Sequence, residues 1–151
     1  MKYYLTYIRD VVGSNYIGVN IPDAIVDPFL DKLKSIEEDY DIFIGNQKRR
    51  DHDEYHITVI NVGEYNKLSN EIGMREFVGS LELILKYEID DLEMLGVGTA
   101  EKNGNRTYFI VCQSDKLDAV RTRFNLPKQD FHITIGFNAK DVFGVRKNEI
   151  I

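Results

Sequence analysis

The sequence contains one cysteine, no tryptophan, three prolines and three histidines in 151 residues. Because Cys112 has no partner, a disulfide framework is excluded and a reducing compartment is indicated. Cys112 follows the apolar run Tyr108–Val111, so we interpret it as a buried thiol rather than a nucleophile. Met1–Arg9 lacks the apolar core of a signal peptide, and no stretch of about 20 apolar residues could span a membrane. We therefore expect a cytoplasmic protein without a membrane partner.

Positive charge is outnumbered by negative charge. The sequence has 19 Lys and Arg against 25 Asp and Glu, a formal net charge of −6. Proteins that wrap duplex nucleic acid neutralise many phosphates with Lys and Arg, so this balance argues against duplex DNA as a partner. A small nucleotide or an RNA end needs only a local basic patch. The 43% of hydrophobic residues suffices for the core of one domain, which we expect to be a monomer.

Histidine is rare, yet two of the three histidines occur in the same local pattern. The pattern reads Tyr-His-Ile-Thr-Val-Ile at residues 55–60 and Phe-His-Ile-Thr-Ile-Gly at residues 131–136. Both segments are rich in β-branched and aromatic residues, which predicts two strands whose His and Thr share one face. One copy alone would most often be an ordinary half-buried strand, but the repeat indicates a site. The side chains that would line this site are His56, Thr58, His132 and Thr134.

The doubled His-x-Thr-x motif, at His56–Val59 and His132–Ile135, resembles that of the 2H phosphoesterase superfamily. These are small two-lobed enzymes related to bacterial RNA 2′,5′-ligase/cyclic phosphodiesterases, to plant and fungal cyclic-nucleotide phosphodiesterases, and to phage enzymes that destroy cyclic-nucleotide defence signals. The resemblance implies a phosphoric diester hydrolase, with the motif His and Thr as its catalytic groups. It does not select one substrate.

Paired histidines suit phosphodiester cleavage, which needs a base and an acid on opposite sides of phosphorus. The reference pKa of histidine, about 6.5, lies close to the working pH, so one imidazole can be neutral while the other is protonated. The Thr hydroxyls can donate to the non-bridging oxygens, where negative charge develops. The sequence leaves open which histidine is the base.

A metal-assisted mechanism is the alternative for the same residues. His52 and His56 are four residues apart, as in a helical ligand pair. The carboxylates close to the two motifs are Asp51, Asp53, Glu54 and Asp130. However, His56 belongs to a predicted strand, and no His-Glu-x-x-His pattern is present. We therefore expect no metal and no cofactor, and we place His52 in an exposed loop.

Members of the superfamily usually add an aromatic side chain that stacks on a base and a cation that reaches the phosphate. The candidates for stacking are Tyr16 and Phe143, with Tyr55 directed away from His56 by the strand alternation. The candidate cations, in or near the basic runs 48–50 and 146–147, are Arg49, Arg50, Arg106 and Arg146. Core packing of the aromatics and solvation of the cations are the alternatives. The tail, residues 140–147, could fold back over the site.

Hydrophobic periodicity predicts the order strand, strand, helix, strand twice. Besides the motif strands, the predicted strands are Lys2–Arg9, Tyr16–Asn20, Leu92–Ala100 and Arg106–Cys112. One helix should start with Asp27 as N-cap and Pro28 in the first position, a second should cover Glu71–Lys86, and a third should start with Ser114 as N-cap. A polar segment, Asn46–Glu54, leads into the first motif.

We predict an α+β fold for a single domain, residues 1–151. Two pseudo-symmetric lobes, approximately 1–62 and 88–151, would each consist of an antiparallel sheet with outer helices, joined by a connector at 63–87 around a central cleft. An α/β sandwich without the pseudo-twofold is the alternative. The expected activity is metal-independent cleavage of a cyclic or 2′/3′-linked nucleotide, with a cyclic nucleotide or cyclic dinucleotide favoured. The alternatives are RNA-end processing by a 2′,3′-cyclic phosphodiesterase and a non-catalytic nucleotide- or RNA-binding module.

Overall fold

A computed structural model describes residues 2–151, and Met1 lies outside the described residues. This part of the chain forms seven strands and five helices. The strands are β1 (Tyr3–Arg9), β2 (Asn15–Ile21), β3 (Tyr55–Ile60), β4 (Glu88–Ile89), β5 (Glu93–Lys102), β6 (Asn105–Gln113) and β7 (His132–Phe137). The helices are α1 (Asp23–Ile36), α2 (Tyr40–Asp51), α3 (Val62–Ile72), α4 (Met74–Ile84) and α5 (Asp115–Arg123).

The strands of residues 2–151 belong to one sheet with the order β4-β1-β2-β3-β7-β6-β5. The registers that the structure defines are antiparallel: β1 pairs with β2 and β4, β3 pairs with β7, and β6 pairs with β5 and β7. Every strand predicted from periodicity is present, with ends that differ by at most two residues. The predicted α+β class is therefore confirmed.

The chain folds into two compact units. Among the described residues, unit 1 consists of 2–20, Thr58–Leu92 and Ser114–Gln129, and unit 2 consists of Ile21–Ile57, Glu93–Gln113 and Asp130–Ile151. Each unit takes segments from both halves of the chain, so these boundaries differ from those of the expected lobes, 1–62 and 88–151. The single bilobal domain stays a prediction.

Three aromatic side chains, from α3, from α4 and from the residue after α5, pack together in unit 1. Tyr65, Phe77 and Phe124 make consecutive edge-to-face contacts, with ring centroids 5.1 and 5.5 Å apart. The prediction of one helix across Glu71–Lys86 is wrong, because α3 and α4 meet at Gly73. Gly73 has a φ of 99°, a conformation that glycine adopts without the steric cost of a side chain, and it ends α3 there.

A buried ion pair fixes the end of β3 within unit 1. The Arg121 side chain, in a residue that is 3% exposed, donates to both carboxylate oxygens of Glu64 at 2.9 and 2.8 Å. It also donates to the carbonyl oxygens of Val59 and Pro127, each at 2.7 Å. Glu64 in turn closes a capping box with Asn61 at the start of α3. One guanidinium therefore connects α5, α3 and the last residues of β3.

In unit 2, α1 starts earlier than predicted. The prediction that Asp27 caps this helix is wrong, since the helix begins at Asp23 and contains Pro28 at its sixth position. The missing N–H of Pro28 leaves one carbonyl of the first turn without its intrahelical donor. Val26 and Leu33, seven residues apart on one face, are both completely buried, and this packing offsets the lost hydrogen bond.

The polar segment Asn46–Glu54 is mostly helical, as part of α2. Phe43 and Gln47 are the buried residues of this helix, so its sequence shows little hydrophobic periodicity. Polar contacts hold it instead: Asn46 Nδ2 donates to two carbonyl oxygens at the end of β7, at 3.0 and 2.7 Å. Gly136 of β7 permits the close approach, because a Cβ at this position would lie only 3.0 Å from Phe43 Cβ.

Three smaller predictions are confirmed. Ser114 Oγ accepts a hydrogen bond from the Leu117 N–H at 3.1 Å, so Ser114 is the N-cap of α5. Cys112 is buried, and burial raises the pKa of its thiol to about 12. His52 is exposed at the C-terminal end of α2.

Across residues 2–151, none of the helices combines the length and the apolar character needed to cross a bilayer.

Candidate active site

The two motif strands are neighbours, as predicted. β3 and β7 pair antiparallel with Ile57 opposite Ile133, and both isoleucines are completely buried. Because side chains alternate between the faces of a strand, His56 lies on the other face, opposite Thr134. His132 is then the diagonal neighbour of His56, and such neighbours are about 7–8 Å apart. The pairing therefore brings both imidazoles and the Thr134 hydroxyl to one face.

A row of residues crosses this face of unit 2. The register places Gly98 of β5 opposite Phe109 of β6, and Phe109 opposite Thr134 of β7. The Phe109 ring, in a residue that is 1% exposed, meets the His132 ring edge-on with the centroids 5.7 Å apart. Phe109 therefore forms an apolar wall against one of the two imidazoles.

The backbone determines the tautomer of His132. Nδ1 lies 2.7 Å from the carbonyl oxygen of Asp130, which can only accept a hydrogen bond, so Nδ1 carries the proton. Burial lowers the pKa of His132 to about 4, and the charge of Lys147 acts in the same direction. The bond to Asp130 and the charges of Asp141 and Asp130 oppose this shift. At pH 7, His132 is therefore neutral and presents its Nε2 lone pair.

His56 has a related environment. Burial lowers its pKa, Asp51, Glu54 and Asp141 act to raise it, and Arg50 acts to lower it. The charge of Asp141 thus reaches both imidazoles, in agreement with their position on neighbouring strands. Each histidine has a pKa below the usual value, so both are mainly neutral at pH 7.

Asp141 is the centre of a charge network beside Thr134. Its Oδ2 accepts from Thr134 Oγ1 at 3.3 Å and from Arg50 Nη1 at 2.5 Å, and its Oδ1 lies 3.5 Å from Lys147 Nζ. Arg50 also donates to Asp51 through Nε and Nη2, at 2.9 and 2.8 Å. Burial alone would raise the pKa of Asp141, but the two cations and the hydrogen bonds hold it below its usual value. The network therefore contains two carboxylates and two cations.

Three of the predicted ligand residues lie in or beside this network. Arg50 is part of it. Phe143 is 70% exposed, and Lys147 Nζ lies 5.5 Å from its ring centroid. Arg146 pairs with Asp130 at 2.6 and 3.0 Å while its side chain remains 76% exposed. The tail therefore contacts Thr134 of the second motif through Asp141, and its position over the site stays a prediction.

Arg49 and Arg106 have partners elsewhere in unit 2. Arg49 is exposed and donates to Asn46 of its own helix. Arg106 lies 3.5 Å from Glu37 and 3.3 Å from Glu101. These partners, Asn46, Glu37 and Glu101, lie outside the two motifs. A substrate-binding role for these two stays a prediction.

Tyr16 and Thr58 belong to unit 1. Tyr16 lies in β2 opposite Ile8 of β1. Thr58 follows His56 by two residues in β3, and its backbone carbonyl accepts a hydrogen bond from Gln129 Nε2 at 2.6 Å. A catalytic role of Thr58 stays a prediction.

Sequence reasoning missed Asp141 and named Lys147 only within a basic run. Asp141 lies seven residues beyond Thr134 and outside the motif, and Arg50 precedes it by 91 residues. No local spacing relates these positions. The sequence offers one signal, which is the apolar Val142 next to Asp141. Val142 is 2% exposed, so this part of the tail is packed rather than solvated.

The residues that were considered as alternative metal ligands do not form a cluster. Within residues 2–151, no group of three or more His, Cys, Asp and Glu side chains is placed to hold a metal ion. Asp51 pairs with Arg50, and Asp130 pairs with Arg146. These carboxylates therefore orient cations beside the histidines.

A family model matches most of the chain. The 2H-SAK family, described as the Swiss Army Knife 2H phosphoesterase domain, matches residues 24–143. The chain therefore belongs to the 2H phosphoesterase superfamily, and its general function is of the phosphodiesterase type. No curated protein and no solved structure gives a significant match. Arg146 and Lys147 lie beyond the matched residues.

Proposed function

We propose that this protein is a cytoplasmic, metal-independent phosphodiesterase that cleaves a cyclic or 2′/3′-linked nucleotide, with His56 and His132 as its acid–base pair. The observation that carries the proposal is the antiparallel pairing of Ile57 with Ile133, which sets the two imidazoles on one face of adjacent strands. A pair of histidines can take and give the two protons of the reaction without a cofactor.

His132 is the better candidate for the base. Its Nδ1 proton is held by the Asp130 carbonyl, so Nε2 can take the proton of the attacking water or hydroxyl. As the new P–O bond forms, the bond to the leaving oxygen breaks, and His56 gives its proton to that oxygen. In the reverse direction the two histidines exchange roles.

The substrate itself helps to separate these roles. A phosphodiester carries one negative charge, and a nearby anion favours the protonated form of histidine. His56 can therefore gain its proton when the phosphate binds, although burial lowers its pKa in the unliganded protein. The Lys147 cation acts against protonation of His132. The phosphate thus favours an acid at His56, whereas Lys147 favours a base at His132.

The negative charge that develops on the non-bridging phosphate oxygens would be stabilised by hydroxyl groups and by Arg50. The Thr134 hydroxyl donates to Asp141 at 3.3 Å and would exchange this partner for a phosphate oxygen. Thr58, on the same strand face as His56, is proposed for the same role. Arg50 uses three of its five N–H donors on Asp51 and Asp141, which leaves two for the phosphate.

A small cyclic nucleotide or cyclic dinucleotide is the proposed substrate. The exposed ring of Phe143, next to the buried Lys147, offers a surface on which a base can stack, worth about 1–3 kcal/mol per base. Arg146 adds a second, exposed cation beside it. A chain with a net charge of −6 gains little from additional phosphates of a long polyanion.

The test is a substrate panel assayed in the presence of EDTA. The panel contains 2′,3′-cyclic mononucleotides, 2′,5′-linked dinucleotides and 3′,3′-cyclic dinucleotides, and product formation is followed by chromatography. We expect turnover of at least one member. Measurable binding of panel members without turnover of any would instead support the alternative, a nucleotide-binding module on the same fold.

A further inference from the structure

We propose that Lys147 is a positioning residue of the site: the C-terminal segment, residues 142–151, holds the Lys147 ammonium group on the Phe109 side of His132, where its charge acts on the imidazole. The structural claim stands without any substrate. Its catalytic consequence, the assignment of His132 as the base, rests on the proposed function. Lys147 lies outside the residues matched to the family.

Lys147 is buried to an extent that is rare for lysine. The residue is 4% exposed, although its side chain carries a charge at its end. Asp141 Oδ1 lies 3.5 Å from Nζ, and the rings of Phe109 and Phe143 have their centroids 5.9 and 5.5 Å from it. A carboxylate and two aromatic faces are the surroundings that stabilise a buried ammonium group.

Two contacts connect Lys147 to His132. The Phe109 ring contacts both the Lys147 ammonium group and the His132 ring, with centroid distances of 5.9 and 5.7 Å. The backbone N–H of Lys147 donates to Asp130 Oδ2 at 3.1 Å, and the carbonyl of the same Asp130 holds His132 Nδ1. The lysine and the imidazole are therefore held in one arrangement through both a side chain and the backbone.

The end of this segment packs closely against two glycines of β5. The Ile151 N–H donates to the Val97 carbonyl at 2.8 Å, so the segment lies along β5. A Cβ at Gly98 would overlap the Glu149 carbonyl and approach Phe109 Cε2 to 2.5 Å, and a Cβ at Gly96 would approach the Ile150 side chain to 2.9 Å. Side chains at these two positions would displace the segment that carries Lys147.

The charged groups around His132 come from three elements. Asp130 precedes β7 and is paired with Arg146, whereas Asp141 and Lys147 come from the segment after β7. Arg50 of α2 forms an ion pair with the other carboxylate oxygen of Asp141, Oδ2. Each carboxylate that would favour protonation of His132 thus has its own cation, and Lys147 is the cation whose charge acts on the imidazole directly.

The experiment is an NMR titration of the His132 ring protons, which needs no substrate. Lys147→Met removes the charge and keeps an apolar side chain of similar length, and we expect the pKa of His132 to rise by about one unit. Lys147→Arg keeps the charge, so the pKa of His132 should stay as low as in the wild type. Lys147→Gln is the second variant of the same kind, should the methionine variant fail to fold.

Two matched controls separate the local charge from other effects. Lys140→Met removes one charge from an exposed position of the same tail and should leave the pKa of His132 unchanged. Val142→Ala loosens the packing of the segment without removing a charge, and it should cause no comparable rise in the pKa of His132. An unchanged pKa in both Lys147 variants, or an equal rise in either control, would overturn the proposal. Loss of turnover in all assays would count against the proposed function and leave this test intact.

Discussion

The carbonyl oxygen of Asp130 lies 2.7 Å from Nδ1 of His132. The acceptor belongs to the backbone, so the tautomer of His132 depends on the path of the chain and not on the Asp130 carboxylate, which is directed to Arg146. This contact leaves Nε2 as the reactive nitrogen of His132, and it makes the pH dependence of the reaction predictable.

We expect kcat/KM to reach its maximum below pH 6.5. The reaction needs one neutral and one protonated histidine, and kcat/KM reports the pKa values of the free enzyme. The pKa of His132 is lowered to about 4, and that of His56 is lowered from its usual value of about 6.5. Above the pKa of His56 the acid is lost, and below the pKa of His132 the base is lost. A maximum above pH 7.5 in the pH profile would contradict this assignment.

Thr134→Val should lower kcat/KM by about a hundredfold, as expected when one donor to a developing oxyanion is removed. The matched variant Thr134→Ser keeps the hydroxyl that donates to Asp141 and should retain most of the activity. Thermal melts of both variants serve as the control for folding. Equal rates in the valine and serine variants would show that the hydroxyl does not take part.

The sequence predicted the parts of the site that depend on local pattern. β3 and β7 have β-branched residues at alternate positions, and their buried isoleucines require the histidines to face the other way. α2 was not predictable as a helix, because its buried residues include the polar Gln47, which donates to the Glu54 carbonyl at 2.9 Å. Such a residue gives no hydrophobic signal.

The charge network was beyond sequence reasoning for a different reason. Arg50 and Asp141 are 91 residues apart, and they meet only because α2 packs against the end of β7. This packing is closest at Gly136, where a Cβ would lie only 3.0 Å from Phe43 Cβ. A tertiary contact of this kind has no signature in the spacing of charged residues.

Because of the ion pair between Arg121 and Glu64, the stability of the protein should decrease at acidic pH. Burial alone would raise the pKa of Glu64, but the hydrogen bonds from Arg121 and Asn61 lower it overall. A lowered pKa in the folded state contributes stability above the unfolded pKa of about 4.3, and this contribution is lost as the pH falls through the folded value. We therefore expect the free energy of unfolding, measured in urea, to fall between pH 5 and pH 3.

Arg121→Met tests the same pair at pH 7. It leaves the Glu64 carboxylate and two backbone carbonyls without their donor, and the loss of one partner of a buried pair costs about 3–5 kcal/mol. Arg123→Met, at an exposed position of the same helix, is the control and should cost less than about 0.5 kcal/mol. Equal urea midpoints for the two variants would refute a structural role of the pair.

Substrate size is predicted from charge. We expect a higher kcat/KM for a cyclic dinucleotide or a 2′,3′-cyclic mononucleotide than for a 20-mer RNA with a 2′,3′-cyclic end, with little dependence on salt. The comparison is made at two salt concentrations. A preference for the 20-mer of more than about tenfold, or about 1.4 kcal/mol in transition-state binding, together with a steep salt slope would support RNA-end processing instead.

The most direct measurement of the central claim is the turnover of the best panel substrate in EDTA by the wild type, His56→Ala and His132→Ala. Each variant removes one of the two proton-transfer groups, so each should lose between about a hundredfold and ten-thousandfold in kcat. His52→Ala, at the exposed end of α2, is the matched histidine control and should keep the wild-type rate. Near-wild-type turnover by either folded motif variant, or a wild-type activity abolished by EDTA, would contradict the two-histidine mechanism.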